Sequence, residues 1–193
     1  MHLLFIVILG FCFGFGSLPL AQSLWASLIS SAPDWALLIV GPWVIHQLVF
    51  WVVSLLYHYV DVNDKPEFIA RYRIQKGKYK RPSMPQTLKV LAWNQLLWAP
   101  LMLLLMTGAL LAQGWSVDPQ LPSLTQLCTE LILLGASSIV IFYATHRFLH
   151  RPWWMKHVHR IHHEYRSTVA MASEYAHPVE FCIGNFGTLA GGV

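Results

Sequence analysis

Apolar residues fill this chain in four long runs, approximately 3 to 24, 35 to 60, 88 to 112 and 124 to 145, with short polar stretches between them. About 20 residues of helix cross the hydrocarbon core of a bilayer, so the pattern predicts an all-α protein with about four transmembrane helices. The first run, opening Leu3-Leu4-Phe5-Ile6-Val7, lacks the basic start and the small-residue cleavage site of a signal peptide. It is read as an uncleaved span. Gly10, Gly14 and Gly16 within it form a small-residue face that suits close helix packing.

The polar stretches divide the chain into an N-terminal transmembrane region (1 to 60), a basic connector (61 to 87) and a transmembrane hairpin followed by a histidine-rich segment (88 to 193). Seven of the thirteen Lys and Arg residues lie between Lys65 and Arg81. A basic loop between apolar segments is a topology signal, which places the connector in the cytoplasm. Crossing out through 88 to 112, turning at Pro119 and Pro122 and returning through 124 to 145 then delivers His146 to the same face. Arg147, Arg151, Lys156, Arg160 and Arg166 agree with that side. Composition adds that 55% of residues are hydrophobic and 11% charged, wrong for a soluble globule of this length. The net charge of +4 is accounted for by these loops and is no sign of nucleic-acid binding. Cys12, Cys128 and Cys182 are isolated, with no C-x-x-C pair, so they suggest neither a disulfide framework nor a thiolate metal site.

Past the fourth run the chain changes character. Six of its ten histidines fall between His146 and His163, as His146-x3-His150, then His157, then His159-x2-His162-His163. Spacings of three and four residues stack imidazoles on one helical face, as a shared metal requires. His146 and His150 end the helix of the fourth run, Pro152 breaks it, and a second helix from about Trp154 to Arg166 is expected to carry His159, His162 and His163 back against the first. One zinc takes about four ligands and a catalytic one fewer from the protein, so five or more convergent histidines point to two metal ions, with iron that activates oxygen the reading beside lipid. The competing reading is a pH-sensitive or headgroup-binding histidine patch.

His177 precedes Pro178, which forces an extended or turn conformation that can aim a ring back at a site, and it is kept as a sixth candidate ligand. His157 is read as a surface or supporting residue. Glu164, Glu174 and Glu180 are candidates to accept hydrogen bonds from the ring nitrogens that do not bind metal. His46 and His58 lie more than three helical turns apart and cannot share a metal; packing roles are expected for both.

Thr145-His146-Arg147-Phe148-Leu149-His150, then Lys156-His157-Val158-His159-Arg160-Ile161-His162-His163-Glu164, then Glu174-Tyr175-Ala176-His177-Pro178, resemble the fatty acid hydroxylase/sterol desaturase superfamily. Pro66-Glu67-Phe68, Arg71-Tyr72-Arg73-Ile74-Gln75 and the polar pair Asn94-Gln95 resemble its C4-methylsterol oxidase branch. The resemblance covers about residues 60 to 193. It implies a membrane-bound non-haem di-iron oxygenase of the endoplasmic reticulum, with two iron ions, that hydroxylates a carbon-hydrogen bond of a sterol or fatty-acyl lipid with dioxygen. It also implies a separate electron donor such as cytochrome b5 and its reductase. His146 and His150 would form the first histidine box and His159, His162 and His163 the second, while His177 matches the histidine of the E-Y-x-H-P segment.

Members of that family carry a further H-x-x-H-H box beyond the H-P segment, and this sequence ends at Gly191-Gly192-Val193 without one. The expectation is therefore a fragment of an active enzyme, with the alternative of a non-catalytic membrane protein that keeps the first two boxes for lipid binding or assembly. A zinc-dependent membrane hydrolase is disfavoured, since no H-E-x-x-H or nucleophile motif is present.

Overall fold

A computed structural model describes residues 19–73, 81–167 and 169–190, and within them every regular element is helical. Helix α1 (Pro19–Ser31) leads into α2 (Asp34–Asn63), α3 (Met84–Ala112), α4 (Leu124–Leu149) and α5 (Pro178–Ala190). The three apolar runs at 35 to 60, 88 to 112 and 124 to 145 correspond to α2, α3 and α4, each long and apolar enough to cross a membrane. The expected first span lies mostly outside the described residues. Its last residues belong to α1, whose described part runs on to Ser31.

Local signals set the helix ends. The Ser83 and Ser123 hydroxyls accept the Gln86 and Gln126 backbone N–H groups at 3.4 and 3.3 Å, capping α3 and α4. After α2 the chain turns at Asp64, in the left-handed region at φ 53°, and its N–H reaches the Val60 carbonyl. Pro152 stands just past the end of α4, where the helix cannot continue.

Helix α2 packs along α3, and α4 along α5. At one end of the bundle Trp25 Nε1 donates to the Asp118 carbonyl at 2.9 Å, and Asp34 accepts from the Val117 N–H. At the other end the start of α3 meets the histidine-rich segment, with Gln86 donating to Glu164 at 3.0 Å and the Thr87 and Tyr165 hydroxyls 2.6 Å apart. Arg73 pairs there with Asp61 and Asp64, and Arg81 with Asp61. The described ends of the basic connector and the histidines thus share one end of the bundle.

The segment after Pro152 corrects one expectation. Instead of a single helix from about Trp154 to Arg166, one turn at Pro152–Trp154 opens into a π-helical turn at Met155–His159, and a separate 3₁₀ turn follows at His162–Glu164. The Arg160 N–H bonds the Met155 carbonyl five residues back, which widens the turn, and Tyr165 is extended. Single π turns recur where a side chain must be re-aimed. Here the residue at the end of the wide turn, His159, is fully buried and faces α5.

Candidate metal centre

Four rings converge at the end of α4. His146 and His150, one turn apart, bring their Nε2 atoms to 3.2 Å; His150 and His159 Nε2 are 3.3 Å apart, and His159 and His163 Nε2 2.9 Å. One ligand atom from each of the four lies within 4.8 Å of all the others. Ligands of a tetrahedral ion bound at about 2.0 to 2.1 Å stand roughly 3.3 Å from one another, so the spacing suits a single ion held by imidazole. Two helical turns on either side of the Pro152 break supply the pairs, which is why the cluster needs that break.

The electrostatics favour neutral rings, the form that binds metal. Burial, followed by the charges of the neighbouring histidines, pushes His159 down to about 3. Burial and then His150 and His162 also lower His163. His159 Nδ1 stands 2.7 Å from Glu180 Oε1. Burial raises the Glu180 carboxyl to about 8, and its Oε2 is buried without a partner among the described residues. A carboxyl oxygen on the far nitrogen of an imidazole fixes the ring and leaves its other nitrogen for a metal. The donor set therefore fits a transition metal.

His162 sits beside the four, its ring centroid 5.6 Å from that of His159 and 6.0 Å from that of His146. Its Nδ1 lies 3.2 Å from the Tyr175 carbonyl. A carbonyl can only accept, so Nδ1 carries the proton and Nε2 presents its lone pair. His177 is placed differently. Its Nδ1 accepts the Val179 backbone N–H at 3.1 Å, so in the neutral ring the proton is on Nε2 and neither nitrogen offers a lone pair as it stands. His157 is exposed, lies against Trp153 and donates from Nδ1 to the Trp153 carbonyl at 2.8 Å.

Of the three acidic residues singled out, Glu180 meets a cluster histidine. Glu164 accepts from Tyr175 at 2.6 Å, and Glu174 meets His46 of α2 at 3.0 Å and Gln95 at 2.7 Å. The pairing of His46 with Glu174 was beyond sequence reasoning, because 128 positions separate the two residues. An ionisable residue inside an apolar helix was the one available hint.

Space adjoins the cluster on two sides. An open cleft of about 850 Å³ runs past His162 and His163, walled by Val53, Tyr57, Tyr165 and Val169. A smaller cavity of about 220 Å³ touches His146 and His162 and is closed by Phe142 and Phe181.

Three apolar helices with an imidazole cluster at one end, His159 its buried member, define a helical membrane protein with a metal-binding type of site. The sequence model of the fatty acid hydroxylase family matches residues 131–192, the stretch that holds every cluster histidine. The chain is 33% identical over 173 residues to human fatty acid hydroxylase domain-containing protein 2, covering 85% of this chain and 51% of that protein. It is 28% identical over 171 residues to methylsterol monooxygenase 2-2 of Arabidopsis thaliana, covering 88% and 63%. With very-long-chain aldehyde decarbonylase GL1-11 of Oryza sativa subsp. indica it shares 32% identity over 175 residues, again 88% and 63%. The chain spans about half to two thirds of the length of these relatives. No solved structure matches it. Over the matched residues the chain is similar to the fatty acid hydroxylase family, with methylsterol monooxygenases among its relatives.

Proposed function

We propose that this chain is the metal-binding part of a membrane-bound non-haem di-iron oxygenase that hydroxylates a carbon-hydrogen bond of a sterol or fatty-acyl lipid. The observation that carries the reading is the convergence of four imidazole Nε2 atoms at the end of an apolar helix. His146, His150, His159 and His163 would hold metal, and His162, with its free Nε2, would serve a second ion. His177 would join only by turning away from Val179. Bound iron would supply the activation of dioxygen, chemistry no amino-acid side chain provides.

The protein's own share follows from the geometry. Glu180 holds the His159 ring, and the Tyr175 carbonyl holds that of His162. The cleft beside His162 and His163 is of a size that takes a small molecule or part of a lipid. Its position at the end of the apolar helices would let a lipid enter sideways from the bilayer. The reading further places the protein in the endoplasmic reticulum membrane, with the histidine end in the cytoplasm, where a separate donor such as cytochrome b5 and its reductase would supply electrons.

A second reading, a membrane protein that binds one metal ion and does not oxidise lipid, is favoured by one observation: four convergent ligands are the complement of a single ion. Metal analysis and dioxygen-dependent lipid oxidation on the detergent-purified protein, beside His159→Ala and His163→Ala, separate the two. About two irons per chain with turnover that both variants lose supports the oxygenase. One metal and no turnover supports the second reading, and no metal sinks both.

A further inference from the structure

We infer that His46 of α2 and Gln95 of α3 are positioning residues for His162, acting by holding Glu174. The inference rests on the reading of His162 as a metal ligand. It concerns residues in the membrane helices, outside the stretch matched by the family model.

An ionisable side chain within a membrane helix is costly and finds a partner. His46 Nε2 is shut off from the surface and stands at ion-pair distance, 3.0 Å, from Glu174 Oε1 without the alignment of a hydrogen bond, while Gln95 Nε2 donates to Oε2 at 2.7 Å. Both carboxylate oxygens are thus engaged by side chains from two different membrane helices. The backbone on either side is pinned as well: Asn94 Nδ2 donates to the carbonyls of Glu174 at 2.9 Å and Ala176 at 3.0 Å. Asn94 and Gln95, at 0% and 2% exposure, are buried polar residues whose placement must be specific.

A π turn at Asn94–Trp98 explains how α3 presents them. The Ala99 N–H bonds the Asn94 carbonyl, five residues back, which releases the Gln95 carbonyl from the helix. Trp43 Nε1, one turn before His46 on α2, donates to that carbonyl at 2.8 Å. Trp43 and His46 together therefore clamp Gln95 and Glu174 against α2.

Between the pinned carbonyls of Glu174 and Ala176 stands Tyr175. Its ring is fully buried, its hydroxyl donates to Glu164 and accepts from Gln86, and its carbonyl accepts from His162 Nδ1. That last bond sets the His162 tautomer and with it the availability of Nε2. Loosening Glu174 frees the Tyr175 carbonyl to move, and His162 is released to take its proton on either nitrogen. Asn94 still holds the carbonyls of Glu174 and Ala176 when His46 is replaced, so the fold is retained while the peptide plane between those two anchors, and with it the Tyr175 carbonyl, is left freer to tilt.

The test uses metal-free, isotope-labelled histidine in the detergent-solubilised full chain, read by long-range proton to nitrogen correlation spectra, with the His162 signal assigned through its loss in His162→Gln. The wild type shows His162 as the Nδ1–H tautomer. His46→Phe shifts the signal toward the Nε2–H form, and His46→Gln, which restores a donor toward Glu174, shifts it back. Gln95→Met, which removes the other partner of Glu174, moves it in the same direction as His46→Phe and carries the test if that variant does not fold. A wild-type His162 protonated on Nε2 overturns the inference, as does an unchanged His162 signal in a folded His46→Phe or Gln95→Met. Iron content measured on the same samples keeps the two ideas apart: a wild type that takes up no iron defeats the oxygenase reading while the tautomer result still decides the positioning role.

Discussion

Along α4 the apolar side chains of Ile132 and Ile139 are each 71% exposed, whereas at the histidine end Leu91, His159 and Tyr175 are not exposed at all. The two regions are stabilised by different solvents. The long helices turn their apolar residues outward, where lipid replaces a protein core, and within them the ladder of backbone bonds does the structural work. The histidine end is packed like a soluble protein, with Leu149, Val158, Met171, Ala172 and Phe181 buried around polar groups. Rigid packing is placed where ring nitrogens must be held to fractions of an ångström, and it is dispensed with elsewhere.

The sharpest way to break this contrast is at its centre. His159→Ala removes the fully buried ring whose Nε2 approaches those of both His150 and His163. Iron content measured by mass spectrometry is expected to fall to near background, while the helix content of the solubilised protein changes little. Equal iron in variant and wild type would mean that the cluster is not the metal site.

A second comparison sets packing against lipid exposure within similar helices. Leu91→Ala opens a void beneath the histidine end and is expected to lower stability by about 2 to 5 kcal/mol. Ile132→Ala, on the outward face of α4, is expected to change it by no more than about 0.5 kcal/mol. Reversible unfolding in mixed micelles checks both, and similar losses at the two positions would deny that they differ in surroundings.

How much of this was legible in the sequence follows the same division. Helices α2, α3 and α4 are written in long apolar runs, because every residue in a bilayer span answers to the same solvent. The pairs His146 with His150 and His159 with His163 are written in i, i+4 spacing. The wide turn at Met155–His159 was not legible, since a π turn is chosen by tertiary contacts, here the seat of His159 against Glu180, and leaves no local periodicity. The partners of Glu174 and Glu180 were hidden for a related reason: three glutamates looked alike as supports for histidine, and only the packing of α5 and α2 assigns them different rings. The count of convergent rings was also set by packing, for His162 turns its Nδ1 to the Tyr175 carbonyl and His177 its Nδ1 to the Val179 N–H, both backbone groups that no spacing rule reveals.

Support from Glu180 should weigh less than a ligand. Glu180→Ala leaves all four convergent nitrogens in place but frees the His159 ring, and metal affinity is expected to drop by about 10-fold to 100-fold, in the range usual for partners that orient ligands. Competition with a chromophoric chelator measures it. An affinity equal to the wild type would show that burial alone fixes His159.

The smallest effect is one of pH, and it separates the two members of that pair in the metal-free protein. His159 is lowered from its ordinary 6.5 to about 3, so it binds its proton more readily in the unfolded chain. Its contribution to stability is present above about 6.5 and is lost as pH falls toward 3. Glu180 is raised from 4.5 to about 8, so between those values the folded chain holds a proton that the unfolded one has released. Stability from this group grows as pH falls from 8 to 4.5. The two windows overlap between 4.5 and 6.5 with opposite signs, so in the metal-free protein Glu180 offsets part of an acid loss to which His146, His163 and His177, also lowered by burial, add. Glu180→Gln removes the offsetting limb, so its midpoint should decline more steeply on acidification below about 6.5 than that of the wild type. A wild type that declines in parallel with the variant would mean that Glu180 is ionised in the folded protein, and that the histidine end tolerates a charge its packing argues against.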